Sequence, residues 1–123
     1  MRLALDNDPQ VLSVRGYAPG LIDVAGQLVR APCILSAGRL ITDWPVRSPA
    51  ELDEAALAPI LALRPTLVLI GADTAAAQLT GGALRRSVQA RGVALEIMDL
   101  GAACRTFNVL VQERREVVAG LFP

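Results

Sequence analysis

The chain has 123 residues, 53% of them hydrophobic, and a formal net charge of zero, a length and composition that suit one domain of ordinary size over residues 1–123. A balanced charge offers no basic stripe for DNA or RNA and no attraction to an acidic lipid surface, so no nucleic-acid partner is expected. The twelve cationic side chains are all Arg, and His and Lys are missing altogether.

Those absences restrict the chemistry. Without imidazole, a Ser–His or Cys–His nucleophile pair cannot be assembled in one chain. Without Lys there is no Schiff base and no P-loop lysine. Two cysteines, Cys33 and Cys104, would need carboxylates to complete a zinc site, so no metal and no cofactor are expected. The two thiols read as small apolar residues kept reduced. The first residues, MRLALDNDPQ, show neither a signal peptide nor an Arg-rich transit pattern, and no apolar run reaches the ~18 residues of a membrane span. The expectation is a soluble, cytoplasmic protein without a membrane span.

In chain order, the alternation of Val11 to Ala18 predicts a half-buried strand, and Pro19-Gly20 a turn. Ala25-Gly26 between LIDV and QLVR, and Ala37-Gly38 between CILS and RLITDW, predict two hairpins, giving an antiparallel meander from about Val11 to Trp44. Trp44 precedes Pro45 and reads either as a cover for the core edge or as a partner anchor. Ser48, Pro49 and Glu51 predict a capped helix start, with the helix running to about Leu63 and a kink or early stop at Pro59. TLVLIG, Thr66 to Gly71, is the continuous apolar run of a strand buried on both faces. A helix is expected over Leu84 to Arg91, stopped by Gly92, then a second buried strand over Val93 to Met98. Asp99 caps a helix reaching about Arg114, and Glu116 to Phe122 closes as a strand of undetermined direction. Strand–helix–strand order with apolar strands implies a parallel crossover. The fold class is therefore α/β: a mixed central sheet, helices packed on it, and an antiparallel strand region at the N-terminal end.

The candidate binding residues lie at the carboxyl ends of the apolar strands, where α/β sheets bind ligands. Gly71, Asp73 and Thr74 form one loop, which reads either as a ligand loop or as a tight turn. Gly81-Gly82 before a helix beginning at Ala83 would free backbone N–H groups for an anion, with Arg85 and Arg86 in the first turn. Glu96, a lone charge in an apolar strand, is either a buried base or a solvent-facing side chain. On the last helix Ala103, Phe107, Leu110 and Arg114 fall near one face, and Cys104 and Val111 lie beside it, so Cys104 borders the apolar stripe. It is either a small hydrophobe or a thiolate lowered by Arg105. Arg105 and Asn108 share a face and form either a polar contact site or hydrogen bonds to the preceding loop.

The stretches TLVLIGAD and RGVALEIMDLGAACRTFNVLVQERREVVAGLFP resemble a domain of unknown function whose eukaryotic members are mitochondrial complex I assembly factors, of the alpha subcomplex assembly factor 3 type. The resemblance is densest from Pro65 to Pro123 and looser through RGYAPGLIDVAG. It matches at Gly71, Glu96, Met98, Asp99, Cys104, Arg105, Thr106 and Asn108. It departs at Ala72-Asp73 (usually Thr-Gly), Leu100 (Thr), Phe107 (Tyr) and Arg114 (Gly). The resemblance implies a three-layer α/β fold, an assembly or interaction role with a protein partner and no established catalysis, while the missing transit pattern suggests a bacterial member. The expected function is thus a non-catalytic interaction domain assisting assembly of a membrane or respiratory complex. The alternative is a small-molecule or anion binder, or an enzyme, using Cys104, Arg105 and Asn108.

Overall fold

The computed structural model describes residues 11–72 and 74–123, the backbone alone over 74–81. Three short strands, β1 (Val14–Ala18), β2 (Leu21–Val24) and β3 (Gln27–Val29), form one antiparallel sheet in the order β1-β2-β3. Their turns follow the sequence: Gly20 takes φ 78°, and Ala25 and Gly26 take φ 52° and 97°, the positive-φ pair that a two-residue hairpin needs.

The expected continuous meander is broken here. β4 (Cys33–Ser36) and β5 (Leu40–Ile41) leave the first sheet and join a second of five strands, ordered β5-β4-β8-β6-β7. The physical reason is burial: Cys33, Ile34 and Leu35 are all fully buried, so β4 needs cover on both faces, which a three-stranded surface sheet cannot supply. β4 pairs antiparallel with β8 (Val117–Leu121), and β8 runs parallel to β6 (Leu67–Gly71), which settles the direction of the last strand. β7 (Ala94–Met98) runs parallel to β6 on its other side.

Two helices differ from their expected bounds. Ser48 makes no side-chain cap; Pro49–Glu51 form one 3-10 turn, and extended Leu52 separates it from α1 (Glu54–Leu61). Asp53 takes over as N-cap, its carboxylate accepting from Ala56 N at 2.8 Å. A carboxylate at this position satisfies an orphan donor and complements the helix dipole, which a hydroxyl does less well. Pro59 sits inside α1, which ends two residues later. α2 (Thr74–Gln89) starts ten residues earlier than the apolar spacing indicates and contains Gly81 and Gly82. The anion-binding helix start at Ala83 therefore does not exist, and Arg85 and Arg86 lie in the second half of α2 rather than in a first turn. Each Gly costs about 1 kcal/mol of helix propensity, a penalty that docking of the helix on the sheet outweighs.

β6 is the pivot. The chain leaves it through α2 to β7 on one side, then returns through α3 (Leu100–Gln112) to β8 on the other. Crossovers in opposite directions place the two helices on opposite faces when each is right-handed. One core joins Val68, Ile70 and Val118 to Leu57 and Ile60 of α1 and to Leu84 and Val88 of α2. The other joins Leu69, Ala119 and Leu121 to Ala103, Cys104, Phe107 and Val111 of α3 and to Ile22 and Val24 of the small sheet. The result is a three-layer α/β fold. Trp44 belongs to the first core, its Nε1–H donating to Ala56 O at 2.9 Å and its ring 5.3 Å from that of Phe122.

Two glycines set the layer spacing. A Cβ on Gly71 would lie 2.6 Å from Ala103 Cβ, so its absence lets α3 sit down on β6. A Cβ on Gly120 would lie 2.9 Å from the Trp44 ring, on the opposite face.

Candidate functional site

α3 carries most of the candidate residues, and its circumference is divided among three neighbours. Asp99 fixes the start of the helix, its carboxylate accepting from Ala102 N at 2.8 Å. Ala103, Cys104, Phe107 and Val111 then face the sheet and are buried.

Cys104 lies in the same core as Cys33, and both are free thiols. Burial pushes the Cys104 thiol up to about 11, against a smaller lowering by the Arg105 guanidinium. Burial, with a further contribution from the neighbouring Cys104, pushes Cys33 up to about 12.

Asn108 stands on the flank of the helix toward β1, which is the edge of the small sheet. Its Nδ2 donates to Val14 O at 2.8 Å, and its Oδ1 accepts from Val14 N at 2.9 Å. The carboxamide thus presents the donor–acceptor pair of a peptide group to an edge strand, taking the place of a further strand. Thr106, on the other flank, donates from Oγ1 to Met98 Sδ at 3.5 Å.

Arg105 is exposed. Its Nη1 donates to the Tyr17 hydroxyl, and its guanidinium carbon lies 5.9 Å from the centroid of the Tyr17 ring, within cation–π range. Tyr17 lies across α3 at Gly101, where a Cβ would come within 2.8 Å of the ring. Beyond Arg105 the outer surface of α3 holds a shallow depression of about 260 Å³ lined by Arg105, Thr106, Val109 and Leu110. Val109 is 56% exposed and Tyr17 46%.

The other candidates lie elsewhere. Gly71 is buried beneath Ala103 and Leu100, and its carbonyl accepts from Phe122 N at 2.8 Å. Asp73 is outside the described residues, and Thr74 is the first residue of α2. Glu96 is exposed on β7, an edge strand, where a central charge discourages a foreign strand from pairing. Among the described residues no cluster of His, Cys, Asp or Glu could hold a metal ion, and no helix is long and apolar enough to cross a membrane.

Sequence reasoning passed over Tyr17 and Val109. Val109 was readable, because Arg105, Val109 and Glu113 recur every four residues opposite the buried Ala103, Phe107 and Val111. Tyr17 had no sequence signal, since its contact with α3 spans 88 residues.

The sequence profile of a protein family of unknown function, DUF498/DUF598, matches residues 14–122. The chain belongs to that family. The chain is 29% identical over 94% of its length to NADH dehydrogenase [ubiquinone] 1 alpha subcomplex assembly factor 3 of Mus musculus, covering 62% of that protein. It is 33% identical over 91% of its length to an uncharacterized protein of Rhodobacter capsulatus, covering 85% of it. The chain thus spans about three-fifths of the assembly factors it matches. The solution structure of a Xanthomonas campestris protein superposes with a TM-score of 0.79 at 28% identity, covering 99% of this chain and 92% of that one. The solution structure of a Bordetella pertussis protein, a Mth938-like domain, gives 0.75 at 25% identity, covering 100% and 92%. In this chain Cys104, Arg105, Thr106 and Asn108 lie on α3, where they divide between packing, tethering β1 and the outer surface.

Proposed function

We propose that this chain is a non-catalytic protein-interaction domain that assists assembly of a respiratory or other membrane complex in the cytoplasm of a bacterium, with the outer surface of α3 as its contact face. The observation that carries this reading is the exposed pair of Val109 and Arg105 beside an open depression. An aliphatic anchor next to an oriented guanidinium is the composition of a protein contact. The assembly-factor name carried by curated relatives supports the same reading.

The alternative, a small-molecule or anion binder or an enzyme built on Cys104, Arg105 and Asn108, has less behind it. Cys104 is buried with its thiol raised to about 11, far from the thiolate a nucleophile needs. The Asn108 amide is already occupied at both ends by Val14.

A photo-crosslinking residue placed at Val109, with a control at exposed Arg91 beyond the end of α2, tests the proposal in native lysate. Position 109 should capture a subunit or assembly intermediate of a membrane complex that position 91 does not. Identical adducts at both positions, or none at 109, would overturn it.

A further inference from the structure

The outer ridge of α3 runs through Arg105 and Val109 and continues to Glu113, the residue that caps its C-terminus: cation, apolar side chain, anion, at equal spacings of four residues, all three exposed. At 1.5 Å rise per residue the charges stand about 12 Å apart along the axis, with Val109 midway. Such a ridge is self-complementary. Turned over by a two-fold axis passing beside Val109, it sets the Arg105 of each copy against Glu113 of the other and lays the two Val109 side chains alongside one another. We propose that α3 is the contact helix of a symmetric antiparallel homodimer.

Shape agrees with charge. The depression lies between two ridges of the same helix, Arg105–Val109 and Thr106–Leu110, which is the groove that a ridge of a second helix fills. Val109 of the second copy is the side chain presented to it. No ion pair joins Arg105 or Glu113 to another described residue, and Tyr17 holds the Arg105 side chain in place. Arg114 and Arg115 follow Glu113, but Arg114 takes φ 62°, which turns the chain off the helix line toward β8. Zero net charge removes any general repulsion between copies. A two-fold axis makes every such contact occur twice. One helix face is a small interface, so the association is weak and reversible.

This inference rests on the outer face of α3 being a protein contact, and names a second copy as its occupant. The test is sedimentation of the full chain from about 10 μM to about 1 mM, the range in which an interface of this size associates. The wild-type chain should dimerise within it. Arg105→Glu and Glu113→Arg should each weaken the dimer about tenfold, and the double reversal should return it to within about threefold of wild type. Val109→Lys, an exposed substitution that leaves the core untouched, should abolish dimerisation. Val109→Cys should cross-link rapidly under copper–phenanthroline, the two thiols giving up two protons and two electrons to the oxidant, while Arg91→Cys should not. A strictly monomeric wild type, a double reversal no better than the singles, or equal cross-linking at 91 and 109 each overturns the proposal. If the chain is monomeric but the photo-crosslinker at Val109 captures a different protein, the broader reading stands and only self-pairing falls. If neither occurs, both fall.

Discussion

Replacing Asn108 by Ala should destabilise the protein without touching its core, and the amount can be worked from two hydrogen bonds. The side chain accepts from Val14 N at 2.9 Å and donates to Val14 O at 2.8 Å. Truncation leaves both backbone groups without their partner, on the edge strand of the small sheet. An unsatisfied group costs about 1–3 kcal/mol when fully buried. The contact is half-buried, so water recovers part of this, and the sum is about 2 kcal/mol. Against a total stability of about 5–15 kcal/mol that is a large fraction. Urea titration followed by Trp44 fluorescence should show the midpoint fall with the slope unchanged, and Tm should drop by roughly 8 °C. Hydrogen exchange adds a local readout: the Val14 amide should lose protection more than amides of β6. Asn108→Asp keeps the acceptor for Val14 N but sets a carboxylate against Val14 O, so it should be no better than Ala. A loss below about 0.5 kcal/mol, with Val14 protection intact, would refute the tether.

Other substitutions probe the remaining contacts. Gly71→Ala should cost about 1–3 kcal/mol by calorimetry, because the new methyl meets Ala103 Cβ at 2.6 Å and Leu121 Cδ2 at 3.0 Å, and α3 must lift. Arg114→Gly should raise stability by about 0.5–1 kcal/mol in urea titration, since the residue holds φ 62° at the end of α3, a conformation glycine adopts freely. The thiols of Cys33 and Cys104, raised from 9.0 to about 12 and 11, keep their protons in the folded state where the unfolded chain loses them. Their contribution is therefore complete below about pH 9 and is lost as pH climbs through 11 to 12. Equilibrium unfolding should show stability falling by up to about 1.4 kcal/mol per pH unit per thiol over that window, and Cys33→Ala should flatten the decline.

How far the sequence reaches depends on the range of the forces involved. β6 was legible because a parallel strand covered on both faces has no polar positions to break its apolar run, whereas β7, expected to be buried, is an edge strand with Ala94 and Glu96 exposed. The cap at Asp99 was legible because it is settled within three residues. α2 was not, because Thr74 to Gly82 carries few large apolar residues to set a period, and docking decides its length. The division of the N-terminal strands between two sheets was also hidden: β4 pairs with β8, whose residues lie more than eighty positions away. In the candidate site, Cys104 beside an apolar stripe was readable from helical spacing, whereas the roles of Arg105 and Asn108 rest on Tyr17 and Val14. Those partners are 88 and 94 residues distant.

The division of α3 into arcs has a consequence for separating stability from function. Ala103, Phe107 and Val111 cannot be altered without opening the core, and Asn108 cannot be altered without loosening β1. A loss of partner binding in any of those variants would therefore say nothing about contact. Arg105 occupies a boundary, since it both touches Tyr17 and faces outward. Val109 and Glu113 are exposed and carry no hydrogen bond from their side chains among the described residues. Substituting either should leave unfolding within about 0.5 kcal/mol of wild type. Any change in association at those two positions can then be assigned to the surface itself. For Arg105, Tyr17→Phe supplies the comparison: it removes the hydroxyl acceptor, keeps the ring under the guanidinium, and leaves the charge facing outward. If Tyr17→Phe reproduces the association defect of Arg105→Glu, the side chain acts by holding β1 to α3. If it does not, the outward charge is what a partner meets.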